Sequence, residues 1–356
     1  MIDSICLGFK QILRIKDRVT TVKNCYYLVS RGHPILLCQG GIMAFVRKYL
    51  LTSCFTLALL AACSNEPVAE PSSAAEISQF TRPGFASVNS WLIETGDRVV
   101  LIDAQRVMSA GKEVVTAIRQ TGKPLEGIIL THPHPDHFGG LAAIVEAFPE
   151  AAVYASAETT EVMKTDSNGY QAATREAVPN DSPEMFAVPT KVFNDGDILQ
   201  FGSLELVVDE IGQGESETMT MLYAPKENAL FVSDLVANKM TGFLLEGRSG
   251  AWLDQLERVL ASYNDSEPTI FPGHGAKGSF DALLSGQKAW LEDIRRLVAD
   301  KLQDDILSDA EVSEIENELD ALYPDYPIVA EIPPLASLNI RAVAAELGEE
   351  KNRSSR

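Results

Sequence analysis

Seven consecutive residues most constrain what this 356-residue chain can fold into: Thr131-His132-Pro133-His134-Pro135-Asp136-His137. Four side chains able to hold a metal fall within six residues, and three of the chain's five histidines are among them. An apolar run at 127–130 precedes the segment. Gly139-Gly140 follows it, ahead of a stretch with Leu141, Ile144, Val145 and Phe148 on one helical face. The segment is therefore expected on a loop between a buried strand and a helix. Its prolines restrict the backbone and hold it extended. Alternate residues of such a segment point to opposite sides, so one ion cannot easily take all four side chains. Imidazole with carboxylate suits Zn²⁺, with Fe or Mn as alternatives.

Cysteine adds no ligand here. All five cysteines lie at or before Cys63, so the rest of the chain has neither a disulfide framework nor a thiolate metal site. The same boundary divides the charge. Residues 1–63 hold eight basic and two acidic side chains, leaving 22 basic against 48 acidic beyond them. That balance argues against a nucleic-acid partner, whose phosphates need a basic surface. Near the boundary, Arg47 and Lys48 follow Met43 and lead into a mostly apolar run over 49–62. This is the pattern of a secretory signal, and it is shorter than the roughly 20 residues that cross a bilayer. Its end, Leu60-Ala61-Ala62-Cys63-Ser64, resembles a bacterial lipobox. The resemblance implies a signal peptide at 43–63, lipidation of Cys63, and an outer-membrane lipoprotein anchored on the periplasmic side. Residues 1–42 are read as an upstream extension, and 64–79, rich in Pro, Ser, Ala and Glu, as a flexible tether.

Beyond 80 the chain alternates between strand and helix patterns. Runs at 87–94 and 98–103 flank Thr95-Gly96-Asp97 as a β-hairpin, and a helix is expected over 110–120. Strands are expected at 127–130 and 152–154, then at 190–193, 198–201, 204–208, 219–223 and 229–232. Helices follow at 250–262 and 280–302, with a short strand at 269–271 between them. Two further helical segments, near 307–322 and 336–347, make a C-terminal extension over 303–356. Two groups of strands, each followed by helices, point to a two-halved α/β sandwich with the sheets inside. Trp252, Trp290, Met219 and Met221 fall where core residues belong.

At this point the His-x-His-x-Asp-His segment, in its strand–loop–helix setting, resembles the metallo-β-lactamase fold superfamily. Further matches follow in order over about 80–302. Phe231-Val232-Ser233-Asp234 resembles the segment ending in a metal-bridging Asp, and Pro272-Gly273-His274-Gly275 the motif whose His binds a second metal. Asp103, closing Val100-Leu101-Ile102-Asp103, resembles the Asp that supports the first loop. The resemblance implies a four-layer αββα sandwich and two divalent metal ions, with zinc expected. His132, His134 and a third ligand would hold one ion, Asp136, His137 and His274 the other, and Asp234 would bridge.

One position departs from the family. Its third histidine is missing, and 211–218 reads Ile-Gly-Gln-Gly-Glu-Ser-Glu-Thr. Counting back from Tyr223 puts Glu215 at that position, with Glu217 as the competing carboxylate. A carboxylate oxygen can ligate zinc. The added negative charge should weaken Lewis acidity and favour harder metals. The expected activity is hydrolysis of a small-molecule ester, lactone, lactam or sulfate ester, with Asp136 orienting the nucleophile and accepting its proton. A specific β-lactamase, lactonase or sulfatase is the narrower reading. A metal-binding lipoprotein without catalysis is the alternative. Glyoxalase-II-like thioesterase action is disfavoured by the missing Gly-His. Arg248, shortly after the bridging Asp, is a candidate contact for a substrate anion.

Overall fold

The computed structural model describes residues 74–84, 87–302, 306–329, 332 and 334–354, with the backbone of four short strands before them. The chain divides into two units, Met1–Glu70 and Pro71–Arg356. In the first, β1 (Ile12–Ile15) pairs antiparallel with β2 (Arg18–Thr21), and β3 (Cys25–Ser30) with β4 (His33–Cys38). The signal-peptide segment and Cys63 lie outside the described residues.

The second unit opens with β5 (Glu76–Thr81), β6 (Asn89–Glu94), β7 (Val99–Ile102), α1 (Met108–Gln120), β8 (Leu125–Ile129), α2 (Pro135–Phe138), α3 (Leu141–Ala147) and β9 (Ala152–Ser156). Next come α4 (Ala157–Thr165), α5 (Tyr170–Ala177) and β10 (Lys191–Phe193). The second half holds β11 (Ile198–Phe201), β12 (Leu204–Glu210), β13 (Thr220–Ala224), β14 (Ala229–Ala237), α6 (Ser249–Tyr263), β15 (Thr269–His274) and α7 (Phe280–Lys301). α8 (Asp309–Leu322) and α9 (Leu335–Ser354) form the C-terminal extension. The first sheet runs β10-β9-β8-β7-β6-β5 and the second β11-β12-β13-β14-β15.

Period-two alternation decides which side chain enters which layer. Trp91, Ile93, Val100 and Ile102 meet Leu204, Leu206, Leu222, Phe231 and Phe271 between the sheets. Their neighbours Leu92, Val99, Leu101 and Ile128 point the other way, onto Val114, Ile118, Leu141 and Ile144 of α1 and α3. On the far side Met219, Met221, Leu230, Val232 and Ile270 pack on Trp252, Leu256, Trp290 and Ile294 of α6 and α7. Both faces of the central strands are buried, so they read as near-continuous apolar runs. This is the expected αββα sandwich, and the two tryptophans and two methionines are core residues.

One boundary differs. β5 begins at Glu76, inside the stretch read as tether, and pairs along its length with β6 from Glu76↔Glu94 to Thr81↔Asn89. Its composition looks like a linker because it is an edge strand, half exposed, with no need of a continuous apolar face.

Candidate metal centre

Two pairs of parallel strands, β7–β8 and β14–β15, end at the same edge of the sandwich. Loops leaving parallel strands are where such folds gather their chemistry. From the first sheet come Asp103, just past β7, and the His132–His137 segment, just past β8. From the second come Asp234, within β14, and His274, the last residue of β15. The backbone ties the sheets together there. Thr220 N–H donates to the Thr131 carbonyl at 3.0 Å, and Val88 bridges to His274.

Two local devices aim the side chains. Pro135 opens α2 at its first turn, where a missing N–H costs nothing. Asp136 and His137 thereby leave the track of His132 and His134 and join Asp234 and His274, although the His137 ring stays 4.1 Å from that of His132. β14 breaks register with β15 between Phe231 and Ser233 and again before Ala237, and Ser233 has φ 47°. A bulge of this kind re-aims one residue, here Asp234. Gly273 makes the room: a Cβ there would lie 1.8 Å from Asp234 Oδ1. Asp103 too sits at positive φ, 59°, which Asp tolerates better than most residues.

The result is two overlapping groups. His132, His134, Glu215 and Asp234 offer ligand atoms all within 4.8 Å of one another, and so do Asp136, His137, Asp234 and His274. The division between 132/134 and 136/137 is the one that the family resemblance implied; strict alternation would have put Asp136 with His132 and His134, and the helical turn that begins at Pro135 is what separates them. Glu215 occupies the place of the absent histidine, buried, with Oε1 3.2 Å from His134 Nδ1 and Oε2 3.8 Å from His132 Nε2. Gln255 of α6 pins its loop by donating to the carbonyls of Ile211 and Gly212 at 3.1 and 2.9 Å. Glu217 instead accepts from Asn168 near the surface and belongs to neither group.

Three of the four histidines, all but His274, have one nitrogen engaged away from the centre or beside a hydroxyl. Asp103 Oδ2 lies 2.7 Å from His137 Nδ1 while the same carboxylate takes the Thr131 N–H and hydroxyl. The Thr131 and Ser233 hydroxyls flank His132 Nδ1 at 3.1 and 3.2 Å. His134 Nε2 meets Glu246 Oε1 at 3.0 Å. Tyr170 donates its hydroxyl to that same oxygen at 2.8 Å, and Arg248 pairs with Oε2.

Sequence reasoning passed over Glu246, Thr131 and Ser233. An acid directly after Phe243-Leu244-Leu245, in the loop following the bridging Asp, was the available signal for Glu246. Arg248 is corrected in turn. Its guanidinium is taken up by Glu246, and the basic residue lining the site cavity is Arg106. Two residues of spacing in an irregular loop suffice to change which side chain faces inward.

The electrostatics are those of a cation site. Glu215 has its carboxyl pushed up to about 7 by burial, with Asp234 and Glu246 adding to the effect against the pull of His134. Burial would depress His274, but Asp234 and Asp136 outweigh it and raise the imidazole to about 9. His137 and His134 are raised in the same contest, by Asp234 and Asp103 and by Glu215 and Glu246 respectively. His132 goes the other way, depressed by burial and by the neighbouring His137 and His134. Burial disfavours the Asp234 carboxylate, yet His274 and His137 hold it ionised.

Donor atoms of the centre make no well-directed hydrogen bond although buried: His132 Nε2, His137 Nε2, His274 Nε2, both Glu215 oxygens and Asp234 Oδ1. Buried polar atoms left this way are costly. Their convergence, as mixed imidazole and carboxylate, fits divalent metal.

The metallo-beta-lactamase superfamily profile matches residues 83–302. The chain belongs to that superfamily. Relatives include the Bacillus subtilis protein YobT, 37% identical over 86 residues, or 24% of this chain and 36% of that protein. Metallo-beta-lactamase IND-1 of Chryseobacterium indologenes is 26% identical over 53% of this chain and 72% of its own. Hydroxyacylglutathione hydrolase 2 of Vibrio vulnificus is 26% identical over 54% of this chain and 63% of its own. Among solved structures, a beta-lactamase domain protein from Burkholderia ambifaria superposes with TM-score 0.58 over 80% of this chain and 88% of that one, at 16% identity. A metallo-beta-lactamase from Pontibacter korlensis gives 0.50 over 63% and 97%, at 22%. These likenesses carry the fold. Members of the superfamily use divalent metals, typically zinc, and the donor set of this metallo-beta-lactamase-fold chain suits them. The curated relatives are matched over about a third to three quarters of their length.

Proposed function

We propose that the chain is a dinuclear, zinc-dependent hydrolase, exported and held to the outer membrane through a lipid on Cys63. The observation that carries the enzymatic reading is the convergence of buried donor atoms with no directed hydrogen bond on two overlapping points. His132, His134 and Glu215 would hold one ion, Asp136, His137 and His274 the other, with Asp234 common to both. Divalent metal bound there would supply Lewis acidity and a water acidic enough to lose its proton near neutral pH.

The chain's own residues do the rest. Asp103, the Thr131 and Ser233 hydroxyls, and Glu246 fix the ring orientations of His137, His132 and His134. Asp136 faces the site cavity. Burial opposes its ionisation, but His137 and His274 outweigh that and keep it a carboxylate. It can therefore orient the attacking water and accept its proton. The lipid anchor is supported by the run over 43–62 ending at Cys63.

Full-length protein expressed in a Gram-negative host and extracted from its membranes tests both halves. Intact mass should report an acylated N-terminus beginning at Cys63. Metal analysis should give two zinc ions per wild-type chain and about one in Glu215→Ala. Equal metal content in the two proteins would remove Glu215 from the ligand set, and a single ion in each would reduce the centre to a mononuclear one.

A further inference from the structure

A cavity of about 200 Å³ opens onto the metal centre, reached through His134, Asp136, Glu215 and Asp234. The remainder of its wall is mostly apolar. Ala173 and Ala177 come from α5, Phe243 from the loop after β14, and Val329 and Ile332 from the C-terminal extension. Tyr170 also lines it, but its hydroxyl is donated to Glu246, so it presents its ring. The extension lies beyond the stretch that matches the superfamily, which ends at 302.

That extension is built into the site. The segment 327–329 pairs with Thr241 in parallel fashion, Thr241 N–H donating to the Pro327 carbonyl at 2.9 Å and Val329 N–H to the Thr241 carbonyl at 3.2 Å. From α9, Asn339 takes the Leu244 N–H at 2.9 Å and donates to the Gly242 carbonyl at 2.8 Å. Glu346, also from α9, receives the N–H groups of Ser249 and Gly250. The loop carrying Phe243 and Glu246 is thus held at both ends by the extension. Val329 and Leu335 form a small apolar cluster with Phe243, Ile328 and Ile332 beside the cavity.

We propose that this cavity seats an apolar part of the substrate, and that the C-terminal extension sets its size. The substrate is then a neutral ester or lactone carrying one uncharged group, of phenyl or roughly six-carbon size, next to the scissile bond. Size follows from volume: an apolar cavity of roughly 150 Å³ takes one benzene ring, and drug-sized ligands need about 300 Å³ or more. The uncharged group follows from the wall, which away from the metal-facing residues is formed chiefly by Tyr170, Ala173, Ala177, Phe243, Val329 and Ile332, while Arg106 already has an interaction within the protein. In the reaction, water oxygen bonds to the carbonyl carbon, the acyl C–O bond breaks, and the proton ends on the departing alkoxide. This inference rests on the hydrolase reading above.

The experiment uses the zinc-loaded full chain and p-nitrophenyl esters with acyl groups from acetyl to decanoyl. The value of kcat/KM should rise about three- to fourfold per methylene up to roughly hexanoyl, and then fall. Adipoyl monoester, in which a carboxylate replaces the terminal methyl of the six-carbon chain, should be more than tenfold poorer than hexanoyl. Ala173→Leu, on an exposed position of α5, should move the optimum to a shorter chain, and Ile332→Ser should flatten the series. Binding of hexanamide, read by calorimetry on the same proteins, gives the answer without turnover. Hydrolysis with no chain-length optimum, no response to either variant, or a preference for adipoyl overturns the pocket and leaves the hydrolase intact. Hexanamide binding that Ala173→Leu abolishes, with no ester cleaved, keeps the pocket and overturns the hydrolase. No binding and no cleavage overturns both.

Discussion

At the scale of single residues, the informative feature is the outer partner that His132, His134 and His137 each have at the centre. A metal ligand's outer hydrogen bond fixes its tautomer and raises its basicity. For His134 that partner is Glu246. Burial works against the Glu246 carboxylate, but His134, Tyr170 and Arg248 pull it down to about 2, so it is an acceptor throughout the neutral range. It therefore draws the ring proton to Nε2 and leaves the Nδ1 lone pair facing Glu215 and the centre. Glu246→Gln keeps the shape but removes the charge. Zinc affinity at the site shared by His132, His134 and Glu215 should fall about 10- to 100-fold, read by competition with a chromophoric chelator. The other site should change little. Unaltered affinity at both sites would make Glu246 a surface-loop acid with no part in holding the ring.

At the scale of elements, the His-rich loop stays in place because α1 and α3 pack almost backbone to backbone beneath it. Gly111 of α1 approaches Gly140 so closely that a Cβ on it would lie 2.3 Å from the Gly140 carbonyl oxygen. Backbone atoms cannot step aside as a flexible side chain would. Gly140 N–H in turn donates to the Gln105 carbonyl, and Ala104 N–H to that of His137. Gly111→Ala should therefore cost about 1–3 kcal/mol by overpacking, outweighing Ala's helix-propensity gain of up to about 1 kcal/mol. Chemical denaturation would register it as a lower midpoint with an unchanged slope. A midpoint at or above that of the wild type would mean that the two helices can separate freely. The opposite approach suits α9, which reaches the site through polar side chains, Asn339 and Glu346, rather than close backbone contact.

At the scale of the whole molecule, the centre couples stability to pH, with a direction that depends on metal. Without metal, His134, His137 and His274 titrate above an unfolded histidine near 6.5, and Glu215 above an unfolded glutamate. A raised pKa means that the folded chain holds the proton more tightly. That stabilisation is complete below the unfolded value and is lost as pH rises through the folded one, about 7 for Glu215 and about 9 for His274. The metal-stripped protein should therefore lose melting temperature steadily from about pH 6.5 to 9. Zinc needs the deprotonated imidazoles, so adding it should cancel or reverse the slope. A flat melting profile for the stripped protein across that range would contradict the charge balance described for the centre.

Much of this was legible from residue order. The apolar runs marked the central strands and helices because each strand buries both faces. The residues gathered at the centre were legible because a His-x-His-x-Asp-His run, an Asp after an apolar strand and a Pro-Gly-His-Gly turn are short-range patterns. Even the missing histidine could be placed at Glu215, since strand register counts residues reliably across one turn. What could not be read depends on contacts between segments far apart in the chain. That Glu246 rather than Arg248 faces His134 depends on an irregular loop held by α9, almost a hundred residues downstream. That β5 is a strand depends on an edge of β6 being free to pair. That the C-terminal extension walls the cavity depends on Thr241 accepting a parallel neighbour from 327–329. Periodicity and motif record what a residue needs locally, in burial, backbone angle or ligand chemistry. Which distant partner meets that need is decided only when the layers close.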